Sequence, residues 1–215
     1  MNNLSRKLAQ AMSVILSNPV VDSIFAFVIA LNESLIKTRS YDLKIALVST
    51  LLLGVAPYSG AFVMYLRNRS DLFVSEREKR PILMIVGMIP LFLSAFYFYY
   101  IGYRWLSALA TIFLLESLVY FLITLRWKIS LHVSGLSIPL TTMSTLVVRW
   151  SVVTISNTLA LLNVALTFIG FIMLPVLMWA RVKVGAHTWS QVIVSAVISM
   201  LMTYYGLVLF GVQQS

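Results

Sequence analysis

The sequence predicts an all-α integral membrane protein, a bundle of six or seven transmembrane helices. Of its 215 residues, 60% are hydrophobic and only 11% are charged, a composition far from that of an ordinary soluble domain. Uncharged runs of about twenty residues recur along the chain, and each is long enough to cross about 30 Å of hydrocarbon as a helix. Because the sequence contains neither a fixed-period repeat nor a soluble insertion of domain size, we expect a single helical bundle.

Six strong spans are predicted, with a seventh candidate near the N-terminus. The candidate, residues 19–32, is short and contains Asp22, so it is either an oblique first span or an interfacial helix. Residues 1–40 are therefore expected to form an N-terminal amphipathic helix or first membrane helix, and residues 41–215 the membrane-embedded bundle. The six strong spans are residues 45–66, 82–101, 105–125, roughly 132–148, roughly 159–180, and 192–212.

Charge and cysteine content exclude several classes of function. The net charge is +9, but no basic, aromatic-rich soluble domain exists to bind nucleic acid. The positive charge is expected to serve lipid headgroups, membrane topology or an anionic substrate. Cysteine is absent, and all seven acidic residues lie at or before Glu116 with no paired-aspartate motif. We therefore expect no metal and no other cofactor.

Three polar loops are predicted to share one side of the membrane. Residues 67–81, 126–131 and 181–190 follow one another at intervals of two crossings. Nine of the 16 Lys and Arg residues lie in these loops, which would place them in the cytoplasm by the positive-inside rule. When the three arginines that are candidates for substrate binding are left out, six Lys and Arg residues remain in these loops against seven elsewhere in the chain. The sequence therefore leaves the orientation in the membrane undecided.

The first loop, "RNRSDLFVSEREKRP", carries Arg77 and Arg80 immediately before Pro81. Proline is favoured in the first turn of a helix, so these arginines are expected at the mouth of the next span. The alternative is a basic collar whose side chains extend to the membrane interface.

The second loop, "RWKISLHVSG", places Ser130 and His132 two residues apart where an apolar helix begins. Ser130 is predicted to be the N-cap, leaving neighbouring backbone N–H groups facing water, where they can bind an anion. The alternative for His132 is a structural histidine at the interface.

The third loop contains Arg181 and His187, separated by five residues, and the last helix is expected to begin near Thr188. Thr188 and Gln191 match a capping box, in which Gln191 would only return a hydrogen bond to the backbone. A capping box explains Gln191 but accounts for neither Arg181 nor His187.

Together the three loops bring both histidines, three arginines and two helix N-termini to one side of the bundle. Guanidinium groups bind phosphate oxygens in bidentate fashion and offset charge in the transition state. One imidazole can attack phosphorus while the other protonates the leaving oxygen. This combination favours a phosphate ester as substrate.

In order and spacing, the loops resemble the three signatures of the type 2 phosphatidic acid phosphatase superfamily. These integral-membrane lipid phosphate phosphatases share a bundle with vanadium haloperoxidases, and their signatures are Lys-x6-Arg-Pro, Pro-Ser-Gly-His and Ser-Arg-x5-His-x3-Asp. The resemblance covers roughly residues 67–212. This chain has Arg80-Pro81, then Ile129-Ser130-Leu131-His132, then Ala180-Arg181 followed by His187 and Gln191 at the matching spacing.

The resemblance implies an acid phosphatase/vanadium haloperoxidase-like core and a metal-independent phosphatase. It implies that His187 is the nucleophile, that His132 is the general acid for the leaving group, and that Gln191 orients His187. Arg80 and Arg181 would hold the phosphoryl oxygens, with Ser130 closing the cradle.

The chain departs from the family pattern in each signature. Phe73 occupies the position of the first motif's lysine, and Arg77 is the candidate replacement cation. Ile129 and Leu131 replace proline and glycine, so the backbone there is less free to wrap a phosphate. Gln191 replaces the aspartate, and a neutral amide can orient an imidazole but cannot stabilise imidazolium by charge.

We therefore expect a multi-pass cell-membrane protein that hydrolyses a membrane lipid phosphate or isoprenoid diphosphate through a phosphohistidine intermediate. One alternative is a non-catalytic lipid-phosphate binding or transport protein on the same bundle, and another is a small structural membrane protein. The sequence predicts no oligomeric state. Glu116 lies near the middle of a span, where we expect it to be protonated or paired, with either a structural or a functional role.

Overall fold

The computed structural model describes residues 3–67, 76–150 and 157–210, and every regular element in these ranges is helical. Contacts divide the chain into two compact units, a terminal unit (Met1–Val21 and Ser130–Ser215) and a central unit (Asp22–Ile129). The α-helices in the described ranges are α1 (Asn3–Ile15), α2 (Asn18–Thr38), α3 (Leu43–Ser49), α4 (Ser59–Leu66), α5 (Arg80–Tyr100), α6 (Arg104–Thr124), α7 (Leu131–Trp150), α8 (Asn157–Lys183) and α9 (Trp189–Leu209).

Within the described residues, seven helical stretches are long and apolar enough to cross a membrane. The short candidate at residues 19–32 is part of the 21-residue helix α2, so its length now allows a full crossing. The predicted end of the last span, Val212, lies outside the described residues, and the cell membrane as location stays a prediction. The seven stretches are Asn18–Thr38, Leu43–Leu66, Arg77–Tyr100, Arg104–Thr124, Leu131–Val148, Thr158–Lys183 and Trp189–Leu209.

Many large apolar side chains are exposed, and several polar side chains are buried among the helices. Leu47, Phe96 and Phe168 are 63%, 62% and 67% exposed, whereas Ser199 and Thr203 are fully buried. In a lipid solvent, apolar surface faces outward at no cost, and polar side chains are placed between helices where they find partners. Burial thus supports the multi-pass membrane character that composition predicts.

In the terminal unit, α7 packs against both α8 and α9, and α1 packs against α8. Gly170 of α8 allows a close approach to α7, because an added Cβ would lie 3.0 Å from Leu140 Cδ1. Small residues at such crossings are typical of helix packing in membranes. The buried core of this unit comprises Val133, Leu136, Leu140, Leu174, Leu177, Val192 and Ala196.

In the central unit, α5 packs along α6, and the span Leu43–Leu66 is interrupted. A π-helical turn (Thr50–Val55) and a 3-10 turn (Ala56–Tyr58) separate α3 from α4. Pro57 lacks an N–H for the helical ladder, and Gly54 lies so close to α2 that an added Cβ would be 2.5 Å from Ser23 Cα. Proline and backbone contact thus account for the interruption, which the apolar run at residues 45–66 did not predict.

Candidate functional site

A tight turn at the end of α8 joins Arg181 to His187. The N–H groups of Ala186 and His187 donate to the Arg181 carbonyl at 3.1 and 3.3 Å, and Gly185 N–H donates to the Val182 carbonyl at 3.0 Å. Gly185 has φ 75°, in the left-handed region. These bonds form a Schellman motif, which closes a helix through a left-handed residue. With five residues between them, Arg181 and His187 are therefore spaced so that the His187 N–H reaches the Arg181 carbonyl.

Arg181 lies in the last turn of α8, and not in the loop predicted for residues 181–190. Helix α8 continues to Lys183, because the Schellman bonds satisfy its last carbonyls and cations near a helix C-terminus are stabilised by the helix dipole. The Arg181 side chain is buried, with 4% of its surface exposed. A basic collar at the membrane interface would be exposed, so Arg181 does not fit that description.

The predicted capping box at the start of α9 is confirmed. Thr188 is the N-cap, and its Oγ1 accepts a hydrogen bond from Gln191 N–H at 3.4 Å. The Gln191 Oε1 accepts the Thr188 N–H at 3.1 Å and also lies 3.2 Å from His187 Nδ1. Capping and histidine orientation, which the sequence presented as alternatives, therefore coexist in Gln191.

The same contacts define the protonation pattern of His187. The Gln191 atom that accepts the Thr188 N–H is the amide oxygen, which has no proton to donate. The hydrogen bond at 3.2 Å consequently requires the proton of a neutral His187 to reside on Nδ1, leaving the lone pair on Nε2. His187 is buried, with 6% of its surface exposed.

Ser130 occupies the predicted N-cap position of α7, but its side chain makes no capping hydrogen bond. Its carbonyl accepts the Ser134 N–H at 3.2 Å, the first bond of the helix. Its Oγ is fully buried and has no hydrogen-bond partner among the described residues. The prediction that this helix end opens to water is wrong at Ser130, because α9 covers it through Ser195, whose Oγ donates to the Ser130 carbonyl at 2.6 Å.

Two side chains that the sequence analysis missed fix the start of α7. Ser195 bonds to the Ser130 carbonyl, and Asn18 Nδ2 donates to the next carbonyl, that of Leu131, at 2.9 Å. Gly135 leaves room for Asn18, since an added Cβ would lie 2.6 Å from Asn18 Nδ2. Gly135 was the available sequence signal for a close approach, whereas nothing marked Ser195.

His132, the second residue of α7, is half-buried. The Ser195 contact places the start of α7 against the first two turns of α9. His132 and His187 therefore lie toward the same end of this helix pair.

Arg77 and Arg80 belong to the central unit, where both bind carbonyls of the second loop. Arg80 is 5% exposed, and its Nη1 donates to the Ile129 carbonyl at 3.1 Å. Arg77 is exposed, and its Nη1 donates to the Arg126 carbonyl at 2.9 Å. Burial of Arg80 argues against the collar alternative for this residue. The approach of these arginines to the histidines stays a prediction, and Phe73 lies outside the described residues.

The described residues contain no group of three or more His, Asp and Glu side chains positioned to hold a metal ion. Over the part of the chain that the structure describes, the fold is helical with seven membrane-length helices, which is the pattern of a multi-pass membrane protein. The chain matches no protein-family model, no curated protein and no solved structure.

Proposed function

We propose that this protein is a metal-independent phosphatase acting on a membrane lipid phosphate or isoprenoid diphosphate. The observation that carries the proposal is the arrangement of Arg181, His187 and Gln191 at the junction of α8 and α9. A buried arginine is joined through its carbonyl to the backbone of a buried histidine, and that histidine has its Nδ1 fixed by a neighbouring amide. Fixing Nδ1 leaves Nε2 as the nitrogen with a lone pair, which is what a nucleophile requires.

In the proposed first step, His187 Nε2 attacks phosphorus while the bond from phosphorus to the leaving oxygen breaks. His132, in its protonated form, donates a proton to that oxygen, and a phosphohistidine results. In the second step His132 takes a proton from water, whose oxygen attacks phosphorus. The phosphorus–nitrogen bond then breaks, releasing phosphate and regenerating both histidines.

The cations in this proposal stabilise the charge that grows on the phosphoryl oxygens. Arg181 is the nearest in sequence to the nucleophile, and Arg80 and Arg77 would add further guanidinium groups. Ser130 at the N-terminus of α7 is the weakest of the proposed phosphate ligands, because its hydroxyl has no partner among the described residues but is fully buried where α9 covers this helix end.

A lipid substrate fits the membrane-length helices, because its tail can stay in the bilayer while its head reaches the basic site. The alternative function is non-catalytic binding or transport of a lipid phosphate. The observation that favours this alternative is Gln191, since a neutral amide gives His187 no charge stabilisation as the ring becomes cationic.

The proposal is tested by phosphate release from purified protein in the presence of a metal chelator. The substrates are a lipid phosphate, an isoprenoid diphosphate and inorganic pyrophosphate. Replacing His187 by Ala, or Arg181 by Ala, should lower the rate by about a thousandfold or more. Lys183→Ala is the matched control, because Lys183 lies in the same turn of α8 but is only half-buried.

Two outcomes would change the assignment. Equal phosphate release by wild type and His187→Ala would refute the nucleophile. No release from any substrate, together with saturable lipid-phosphate binding, would establish the binding protein in place of the enzyme.

A further inference from the structure

Helix α1 (Asn3–Ile15) is too short to cross a membrane. Its 13 residues rise about 20 Å, whereas the hydrocarbon core of a bilayer is about 30 Å thick. The helix also carries two basic residues, Arg6 and Lys7, within this length. It takes no part in the proposed phosphatase chemistry, so its outward surface requires a separate explanation.

Two contacts place the C-terminal end of α1 where α7 begins. Asn18, three residues beyond α1, donates to the carbonyl of Leu131, the first residue of α7, at 2.9 Å. Leu16, the residue that follows α1, packs against the buried core of the terminal unit. Because the start of a membrane-length helix lies near the membrane surface, α1 joins the terminal unit near that surface.

One face of α1 packs against α8. Ala9 and Ser13, four residues apart on this helix, are both buried. Small side chains on a packing face let two helices approach closely in a membrane. This contact fixes the rotation of α1, and with it the residues that face away from the terminal unit.

The outward surface of α1 combines an apolar stripe with a basic face. Leu4, Leu8 and Ile15 recur with helical spacing and are 69%, 54% and 59% exposed. Arg6 and Lys7 are exposed on a different face of the same helix. A helix that lies in the plane of the membrane interface uses both faces, the apolar one toward the acyl chains and the basic one toward the headgroups.

The basic face has no acidic counterpart in its own unit. All seven acidic residues of the chain lie between Asp22 and Glu116, so the terminal unit contains none. Arg6 and Lys7 therefore have no carboxylate side chain in this unit with which to pair. The phosphate groups of anionic lipids supply the complementary charge at the membrane surface.

We propose that α1 lies in the membrane interface and binds the phosphate headgroups of anionic phospholipids through Arg6 and Lys7. Leu4, Leu8 and Ile15 enter the acyl region beside those headgroups. The occupant of this surface is the bilayer, because one helix presents an apolar stripe next to uncompensated positive charge. This binding is independent of the proposed phosphatase reaction.

The position of α1 is tested with a fluorescent label on a single cysteine, since the chain has none of its own. Leu8→Cys places the label on the apolar stripe, and Gln10→Cys places it among the exposed residues of the basic face. In bilayers of phosphatidylcholine and phosphatidylglycerol, lipids with a nitroxide on the acyl chain should quench the label at residue 8. A neutral water-soluble quencher should instead act on the label at residue 10.

The preference for anionic headgroups is tested with the same label at residue 8. Nitroxide-labelled phosphatidylglycerol should quench it about twofold more strongly than nitroxide-labelled phosphatidylcholine at the same mole fraction. The difference should vanish when Arg6→Gln and Lys7→Gln are combined, and it should shrink at high salt. Exchanging the two residues, Arg6→Lys with Lys7→Arg, is the matched control, because it keeps both charges and should keep the preference.

Three results would overturn the proposal. Equal quenching by the two lipids in the protein that retains Arg6 and Lys7 would show no preference for anionic headgroups. Quenching of the label at residue 8 by the water-soluble quencher alone would place α1 outside the bilayer. Protection of that label from both quenchers would show that protein, such as a second copy of this chain, covers the stripe. None of these results depends on phosphate release, so they are distinct from a failure of the proposed function.

Discussion

Gln191 has two partners, the backbone of Thr188 and the ring of His187, and both are bound through one amide oxygen. The first partner starts a helix, and the second holds a histidine in one tautomer. An aspartate at this position would add negative charge next to the ring. The amide fixes the orientation and the tautomer while leaving the ring without that charge.

Gln191→Leu should therefore lose activity and stability together. The start of α9 should lose about 1 kcal/mol because the Thr188 N–H loses its acceptor, and phosphate release should fall by at least about tenfold as His187 loses its orienting oxygen. Thr188→Ala separates the two effects, because it removes the hydroxyl that accepts the Gln191 N–H but keeps the Gln191 contact with His187. Thermal unfolding measures the loss of stability in the two variants, and phosphate release measures the loss of activity. An equal loss of activity in both variants would contradict the orienting role of Gln191.

Tyr103, in the turn between α5 and α6, should make stability fall at alkaline pH. Burial raises the pKa of the Tyr103 phenol, and the nearby carboxylates of Asp42 and Glu33 raise it further. The fold favours the neutral phenol, so Tyr103 contributes its full stabilisation below about pH 10. This stabilisation is lost as the pH rises through the raised pKa of the phenol.

Tyr103→Phe keeps the ring, which Lys37 Nζ approaches to 4.3 Å from the centroid, but removes the ionisable hydroxyl. The variant should therefore lose less thermal stability than wild type above about pH 10. Tyr100→Phe, at a side chain that is 90% exposed, is the control. Parallel pH profiles for wild type and Tyr103→Phe would show that this phenol does not contribute.

The predictable side-chain contacts are those between residues close in sequence. The capping box follows from the three-residue spacing of Thr188 and Gln191, and the pairing of His187 with Gln191 from their four-residue spacing across the start of α9. The contacts of Ser130 with Ser195 and of Leu131 with Asn18 join residues 65 and 113 positions apart. Such contacts depend on which helices pack together, which a single sequence does not specify.

Among the secondary-structure elements, the turn after α8 depends on one glycine. Gly185 adopts φ 75° and a Cβ would meet nothing within 4 Å, so only the backbone conformation disfavours a side chain. Gly185→Ala should cost about 1 to 2 kcal/mol, and Gly185→Asn less, since asparagine tolerates the left-handed region. Denaturant unfolding in detergent measures the series, and an alanine variant as stable as wild type would contradict the Schellman assignment.

Apolar runs predicted the membrane-length helices to within a few residues, because hydrophobic length is a property of composition. They did not predict the interruption at Thr50–Tyr58. That interruption depends on the contact of Gly54 with Ser23 in another helix, in addition to Pro57 within the run. The extension of α8 through Arg181 was also missed, because a charged residue was taken as the end of a span although the helix continues to the left-handed glycine.

For the whole molecule, seven membrane-length helices among the described residues predict that the three polar loops share one side of the membrane. The chain has no cysteine, so single cysteines introduced into it can be labelled without background. Glu78→Cys, Lys128→Cys and Ser190→Cys should react with an impermeant maleimide from the same side. Tyr41→Cys, between α2 and α3, should react from the other side. If any of these three cysteines reacted from the same side of the membrane as Tyr41→Cys, the count of crossings would be contradicted.

The central claim is that His187 carries the phosphoryl group during turnover. The most direct measurement is mass spectrometry of the wild-type protein quenched under alkaline conditions shortly after mixing with substrate, before the intermediate is hydrolysed. The account predicts an acid-labile phosphoryl group on the peptide that contains His187, absent from His187→Ala. Turnover of the same substrate with no phosphoryl group on His187, or with the group on another residue, would contradict it.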